Sequence, residues 1–186
     1  MQFIVSFLLL LNWNVTSEIS LETHSKANQK KYSIGEHVHG GIVFYIDPSG
    51  EHGLVAAPRD VKFQGKDRMV WGCQGATIRG ARATALGSGD QNTKDIVQTC
   101  QKGETAADRC AKMTTNKYRD WYLPSKGELN TMYKMNRKAK LGLKKTGYWS
   151  STGMGNGTAW VQTMGMGFQF VSAKFGAHKV RAVRKF

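Results

Sequence analysis

The sequence predicts an α+β domain in which two or three helices pack on small antiparallel sheets. Three observations support this class. An apolar hairpin opens the ordered part, segments with helix-start signals occupy the middle, and the last forty residues alternate aromatic and polar side chains between glycines. Strands lie at both ends of this order, so the termini would meet if the last strand pairs beside the first hairpin.

The opening hairpin is predicted from the stretch "GGIVFYIDPSGEHGLVAAP". Its two arms are residues 41–46 and 53–57, and the Asp-Pro-Ser-Gly of residues 47–50 has the composition of a tight turn. Both arms are continuously apolar, which predicts a hairpin that is buried on both faces.

Two helices are predicted after a Gly-rich, irregular stretch. Asn92 with Asp95 indicates the start of the first, and Thr105 with Asp108 indicates the start of the second. Small residues on the inner side of the second helix predict close packing.

The stretch "DWYLPSKGELNTMY" predicts a third helix. Ser125 and Glu128 match the S-x-x-E capping box, in which each side chain accepts a hydrogen bond from the other residue's backbone amide. Leu129 and Met132 follow at helical spacing on the inner face. Every member of the stretch has a structural use, so we interpret it as a corner of the fold and not as an active site.

The last forty residues predict antiparallel strands joined by tight turns. The final "KVRAVRKF" is expected to be a closing strand beside the first hairpin. The side chains predicted to face the core are Trp149, Trp160, Phe168, Phe170 and Val183.

Residues 1–17 have the features of a signal peptide, residues 18–33 of a polar lead-in, and residues 34–186 of the ordered domain. The apolar run at 3–11 is too short to span a bilayer. The alternative is a buried N-terminal strand. Export predicts a secreted or cell-surface location without a membrane span.

Three cysteines, Cys73, Cys100 and Cys110, suggest one disulfide and one free thiol in an exported domain. The preferred pair is Cys100 with Cys110, because only a short connection separates them. No C-x-x-C motif is present to suggest a zinc or redox site.

The net charge of +14 arises from 27 Lys and Arg against 13 acids. Such an excess attracts polyanions, although a solvated helix face is the alternative explanation. We predict that the third helix and the residues just after it form an anion-binding surface. Its members are Lys134, Arg137 and Lys138 on the outer side of the helix, followed by Lys140, Lys144 and Lys145.

Catalytic, metal and cofactor sites are not indicated. The sequence has no G-x-S-x-G, P-loop or dinucleotide fingerprint, and its acids are scattered. His37 and His39 alternate along a predicted strand, but a metal would need a third ligand from elsewhere. We therefore expect a protein that is not an enzyme and has no cofactor.

Seven stretches occur in an order that resembles the Lcl C-terminal domain family, named for the end domain of a Legionella collagen-like adhesin. They are "GGIVFYIDPSGEHGLVAA", "VWGCQG", "TALGSGDQNT", "AADRCAKM", "DWYLPSKGELNTMY", "YWSST" and "VRAVRKF". The resemblance runs from about residue 34 to 186. It implies a C-type-lectin-like fold with paired N- and C-terminal strands, and a secreted or surface module, in some members for sulfated polysaccharide.

The sequence departs from calcium-dependent lectins of that fold, because it lacks the E-P-N or Q-P-D loop and the W-N-D strand. The leading hypothesis is a non-catalytic module for an anionic, sulfated polysaccharide or another acidic surface. The alternatives are a protein-binding scaffold that uses the Gly-rich loops near Gly87 or Gly155, and a nonspecific nucleic-acid binder without sequence readout. Whether the chain forms a homo-oligomer is left open.

Overall fold

The computed structural model describes residues 30–101 and 104–186, and within them the fold is α+β. The strands in chain order are β1 (His37–Val38), β2 (Gly41–Ile46), β3 (Gly53–Ala56), β4 (Met69–Val70), β5 (Gly147–Met154), β6 (Thr158–Thr163), β7 (Gln169–Ala173), β8 (Ala177–His178) and β9 (Val183–Lys185). The helices are α1 (Gly89–Thr99), α2 (Ala106–Ala111) and α3 (Lys126–Met135). The predicted class is confirmed. The predicted signal peptide, 1–17, and the lead-in up to residue 29 lie outside the described residues.

Three small antiparallel sheets organise these strands. The first has the order β1-β2-β3-β9, the second pairs β4 with β8, and the third has the order β5-β6-β7. Val183 of the closing strand pairs with Ala56 of the first hairpin. The closing strand therefore lies beside the first hairpin, as predicted, and its partner is the second arm of that hairpin, whereas the N-terminal strand β1 pairs with β2.

The core is built on buried aromatic side chains from separate parts of the chain. Trp71, Trp121 and Trp149 are 1%, 2% and 0% exposed, and Phe44 of β2 is 0% exposed. The first four residues of β2 and all of β3 are buried, as predicted for a hairpin covered on both faces. These three tryptophans therefore belong to the core and do not present their rings to a ligand.

Two of the three predicted helix starts are confirmed. The Thr105 hydroxyl accepts a hydrogen bond from the Asp108 amide at 2.9 Å, and Ser125 with Glu128 forms a complete capping box. The start of α1 was predicted too late, because the helix begins at Gly89. Asn92 is buried inside it, and its side chain donates to the Ala83 carbonyl at 2.8 Å.

The prediction that Phe168 and Phe170 face the core is wrong, whereas Trp149 and Val183 are buried as predicted. Phe168 lies in the turn between β6 and β7 and is 63% exposed. Phe170 lies on β7, an edge strand of its sheet in the described residues, and is 39% exposed. Trp160 is partly exposed, with the Lys126 Nζ 3.3 Å from its ring centroid.

The disulfide joins Cys73 to Cys100, not Cys100 to Cys110. Cys100 follows the last residue of α1, and its Cα lies 5.6 Å from that of Cys73. Cys110 is free and fully buried on the inner side of α2. Proximity in sequence predicted the wrong pair. Cys110 packs in the core on the inner side of α2, whereas the loop that carries Cys73 contacts the end of α1.

Replacing Cys73 and Cys100 together with Ala should lower the free energy of unfolding by about 3 kcal/mol. The bridge closes a loop of 27 residues, which restricts the unfolded chain. Chemical denaturation measures the effect, and reduction of the wild-type chain should reproduce it. A Cys110→Ala variant that loses its sensitivity to reduction would contradict this pairing.

Candidate functional site

The candidate site is the stretch of residues 134–145, which we call the basic segment. It holds six basic residues and no acid in twelve positions. All six basic side chains are exposed: Lys134, Arg137, Lys138, Lys140, Lys144 and Lys145. The structure therefore presents every residue of the predicted anion surface to solvent.

Alternating apolar side chains anchor the second half of the basic segment. Ala139, Leu141 and Leu143 are 0%, 1% and 7% exposed, and they pack in the cluster that also contains Leu129 and Met132 of α3. Because every second side chain points inward, Lys140 between them and Lys144 just after them point outward. Burial of the apolar partners holds the cationic ones at the surface.

Part of the predicted geometry of the basic segment is corrected. Helix α3 ends at Met135, so only Lys134 lies on it, and Arg137 and Lys138 lie in the turn that follows. The turn keeps a helical hydrogen bond, from the Ala139 amide to the Met135 carbonyl at 2.7 Å. The helix ends because the chain must redirect to place Leu141 in the core.

Side-chain hydrogen bonds from the protein interior fix the backbone of the basic segment. The Asn136 Oδ1 accepts from the Leu143 amide at 3.2 Å, and the Tyr148 hydroxyl accepts from the Lys144 amide at 3.0 Å. A buried guanidinium, that of Arg181, donates to the Leu141 carbonyl at 2.8 Å. The segment is thus a preorganised surface, which reduces the conformational entropy lost on binding.

Tyr148 and Arg181, which hold the backbone of the basic segment, belong to a buried ionic network centred on Asp60. Its carboxylate accepts from the Arg181 Nε at 2.8 Å and from the Tyr148 hydroxyl at 3.0 Å, and the Lys179 Nζ lies 3.5 Å away. Burial raises the pKa of the Tyr148 hydroxyl, which keeps it a neutral donor. Asp60 therefore organises the groups that hold the basic segment.

The cations of the basic segment are not neutralised by any acid that the structure describes. Six acids elsewhere pair with other cations: Asp60 with Arg181, Asp67 with Lys179, Asp90 with Lys94, Glu104 with Arg109, Asp108 with Lys112, and Asp120 with Arg184. The one acid of α3, Glu128, is fully buried. The local charge is therefore available to an external anion.

Sequence reasoning missed one further cation beside the segment. The exposed Arg68 side chain donates from Nη2 to the Thr146 hydroxyl at 2.9 Å, directly after Lys145. Arg68 is 78 residues away in sequence, so no local pattern could place it there. It extends the basic surface by one guanidinium.

The remaining candidates from the sequence, His39 and the Gly-rich loops at Gly87 and Gly155, contact other residues of the protein. His39 stacks on the Phe186 ring at 4.9 Å, and its Nε2 bonds with the Tyr32 hydroxyl at 2.9 Å. In the Gly-rich loops, the Gly87 amide donates to Glu128 at 3.0 Å and the Gly155 carbonyl accepts from Lys174 at 3.3 Å.

Two further buried groups, Glu128 and Lys174, have shifted pKa values. Burial raises the pKa of Glu128, although its hydrogen bonds oppose the shift. Burial also lowers the pKa of Lys174, whose Nζ donates to the Ala76 carbonyl at 2.6 Å. Glu128 and Lys174 both hydrogen-bond to other groups of the protein, so we assign their pKa shifts to a structural role.

The fold and the site define an α+β domain with a fixed basic surface that no acid of the described residues neutralises. Among the helices of the described residues, none has the length and apolar character that crossing a membrane requires. The model of the Lcl C-terminal domain matches residues 66–184. The chain therefore belongs to the Lcl C-terminal domain family, as the ordered motifs predicted, and this membership suggests a surface, adhesin-type domain. A search of curated proteins finds no match to the chain.

Proposed function

We propose that the protein is an exported, non-catalytic module that binds anionic polysaccharide, with sulfated chains as the preferred class. The observation that carries the proposal is the basic segment, six exposed cations on a fixed backbone without a neutralising acid among the described residues. Family membership supports a surface role. The C-type-lectin-like fold remains a prediction.

The energetics of exposed ion pairs determine the class of ligand. Each pair between an exposed cation and an anion contributes less than about 1 kcal/mol, so a single sulfate or carboxylate would bind weakly. A chain with repeated anions engages several cations of the basic segment at once. Lysine provides point charges, and Arg137 and Arg68 provide planar guanidinium groups that hydrogen-bond two sulfate oxygens together.

Replacing Lys134, Arg137 and Lys138 with Gln should make the protein elute from a heparin column at clearly lower salt. The change removes three cations from one surface and leaves the buried anchors of the segment in place. The matched control replaces Lys62, Arg79 and Lys117 with Gln, which removes the same number of exposed cations outside the segment. Equal elution of both variants would show that net charge alone determines heparin retention, which would contradict the proposed site.

The nucleic-acid alternative is separated by competition. A labelled heparin chain bound to the protein is titrated with duplex DNA and with unlabelled heparin at the same concentration of anionic groups. We expect heparin to compete better, because sulfates on a flexible chain adapt to a short cluster of cations. Better competition by DNA would favour the nucleic-acid function.

A further inference from the structure

An exposed apolar turn lies beside the basic segment. The turn between β6 and β7 carries Met166 and Phe168, which are 71% and 63% exposed. Gly165, Gly167 and the buried Met164 complete it. Two large apolar side chains on one turn form a local apolar feature, in contrast to the scattered exposed residues of an ordinary surface.

Contacts place this turn against the basic segment. A side chain at Gly167 would collide with the Tyr133 ring, which directly precedes Lys134, and one at Gly165 would meet the Lys145 Cβ at 3.3 Å. The Met164 amide also donates to the Thr146 carbonyl at 3.0 Å. The apolar turn and the cations therefore belong to one continuous surface.

The apolar turn is held in a defined shape. The Gly167 amide donates to the Thr163 carbonyl at 3.0 Å, and the Gln162 side chain donates to the Gly167 carbonyl at 2.8 Å. The Phe168 amide donates to the Thr163 hydroxyl at 3.0 Å. Met166 and Phe168 are thus displayed by a well-bonded hairpin.

From this arrangement we propose a second binding activity, the adsorption of the protein to anionic phospholipid surfaces. The basic segment contacts the lipid headgroups, and Met166 and Phe168 enter the boundary between headgroups and acyl chains. The lipid is favoured over a polysaccharide because a hydrated glycan has no apolar phase to receive a methionine. It is favoured over a second copy because two chains of net charge +14 repel each other, whereas an anionic bilayer attracts the segment.

The test is co-sedimentation of the full chain with phosphatidylcholine vesicles, with and without phosphatidylglycerol. We expect binding only to the anionic vesicles. The variant Met166→Ser with Phe168→Ser should bind them at least about tenfold more weakly, since two apolar side chains no longer enter the bilayer. Its retention on heparin should be unchanged, because all six cations of the segment remain.

The matched control is Met154→Ser with Phe175→Ser, which also removes one exposed methionine and one exposed phenylalanine. Both residues lie at the opposite end of the β5-β6-β7 sheet, near the pairing of Thr158 with Ala173. This control should bind anionic vesicles like the wild type. Thermal melts establish that both variants are folded.

Three outcomes would overturn the proposal. The first is no vesicle binding by the wild type. The second is equal binding by the turn variant and its control. The third is concentration-dependent self-association that the turn variant abolishes without any effect on vesicles, which would assign the turn to contact between copies. Because heparin retention is measured on the same variants, failure here is separable from failure of the proposed polysaccharide function.

Discussion

Replacing Asp60 with Ala is expected to lower the free energy of unfolding by about 4 kcal/mol, because it leaves the buried Arg181 without its counter-charge and removes one of the two acids beside Lys179. Arg181 is 2% exposed and Lys179 is 8% exposed. The Arg181 Nη2 lies 2.7 Å from the Asp60 carboxylate. Removing one partner of a buried pair costs far more than the pair contributes when intact, since the desolvated charge remains. Urea denaturation measures the change.

The control for this prediction is Asp67→Ala. Asp67 also pairs with Lys179, but its side chain is 53% exposed, so its loss should cost less than about 1 kcal/mol. Asp60→Ala should also weaken heparin binding, because Arg181 and Tyr148 hold the backbone at Leu141 and Lys144. Equal destabilisation by the two variants would show that Asp60 is not the centre of the network.

Replacing Glu128 with Ala should also lower the free energy of unfolding by about 4 kcal/mol. Three donors converge on its buried carboxylate: the Tyr122 hydroxyl at 3.0 Å, the Gly87 amide at 3.0 Å and the Ser125 amide at 2.6 Å. Each donor left buried without an acceptor costs about 1 to 3 kcal/mol. The capping box is therefore one part of a junction between α3, the loop before α1 and the strand-like residue Tyr122.

The matched comparison is Ser125→Ala, which removes the other side chain of the same capping box. Its hydroxyl accepts from the Glu128 amide at 3.1 Å and donates to the Ala85 carbonyl at 2.8 Å, so we expect a loss of about 1 to 2 kcal/mol. Denaturation of both variants under one condition gives the difference. If Glu128→Ala costs no more than Ser125→Ala, the contacts to Gly87 and Tyr122 contribute nothing.

Local signals predicted the parts of the fold that depend on neighbouring residues. The capping box at Ser125, the cap at Thr105 and the apolar hairpin each arise from chemistry within a few positions. The closing strand was also predicted, because apolar and basic residues alternate in the last segment. Where a side chain is used in a distant contact, the local signal failed: Asn92 looked like a cap, but its side-chain amide donates to the Ser151 hydroxyl, 59 residues away, at 3.2 Å.

Long-range packing decided the features that the sequence could not predict. Cys73 meets Cys100 across 27 residues, and Asp60 meets Arg181 across 121. Nothing near these residues encodes the partner. The aromatic alternation around Phe168 and Phe170 predicted burial, but Phe168 lies in the turn before β7 and Phe170 on the edge strand β7, and both are exposed.

The sequence predicted which residues form the candidate site, and the structure corrected how they are arranged, since α3 ends before Arg137. Six cations without an acid were visible in the sequence, and all of them are exposed. Their support could not be predicted, since Arg181, Tyr148 and Asp60 come from three separate regions. The neighbouring Arg68 and the apolar β6–β7 turn also join the surface only through the tertiary fold.

The most direct test of the polyanion surface is the salt dependence of binding to a heparin oligosaccharide of defined length, measured by calorimetry. The logarithm of the binding constant should fall linearly with the logarithm of salt concentration, because binding releases counterions. Replacement of Lys134, Arg137 and Lys138 with Gln should make this slope shallower by about two, since three contacts each release roughly 0.7 counterion. The slope of the Lys62, Arg79 and Lys117 control should equal that of the wild type. The same slope in all three proteins would contradict the account.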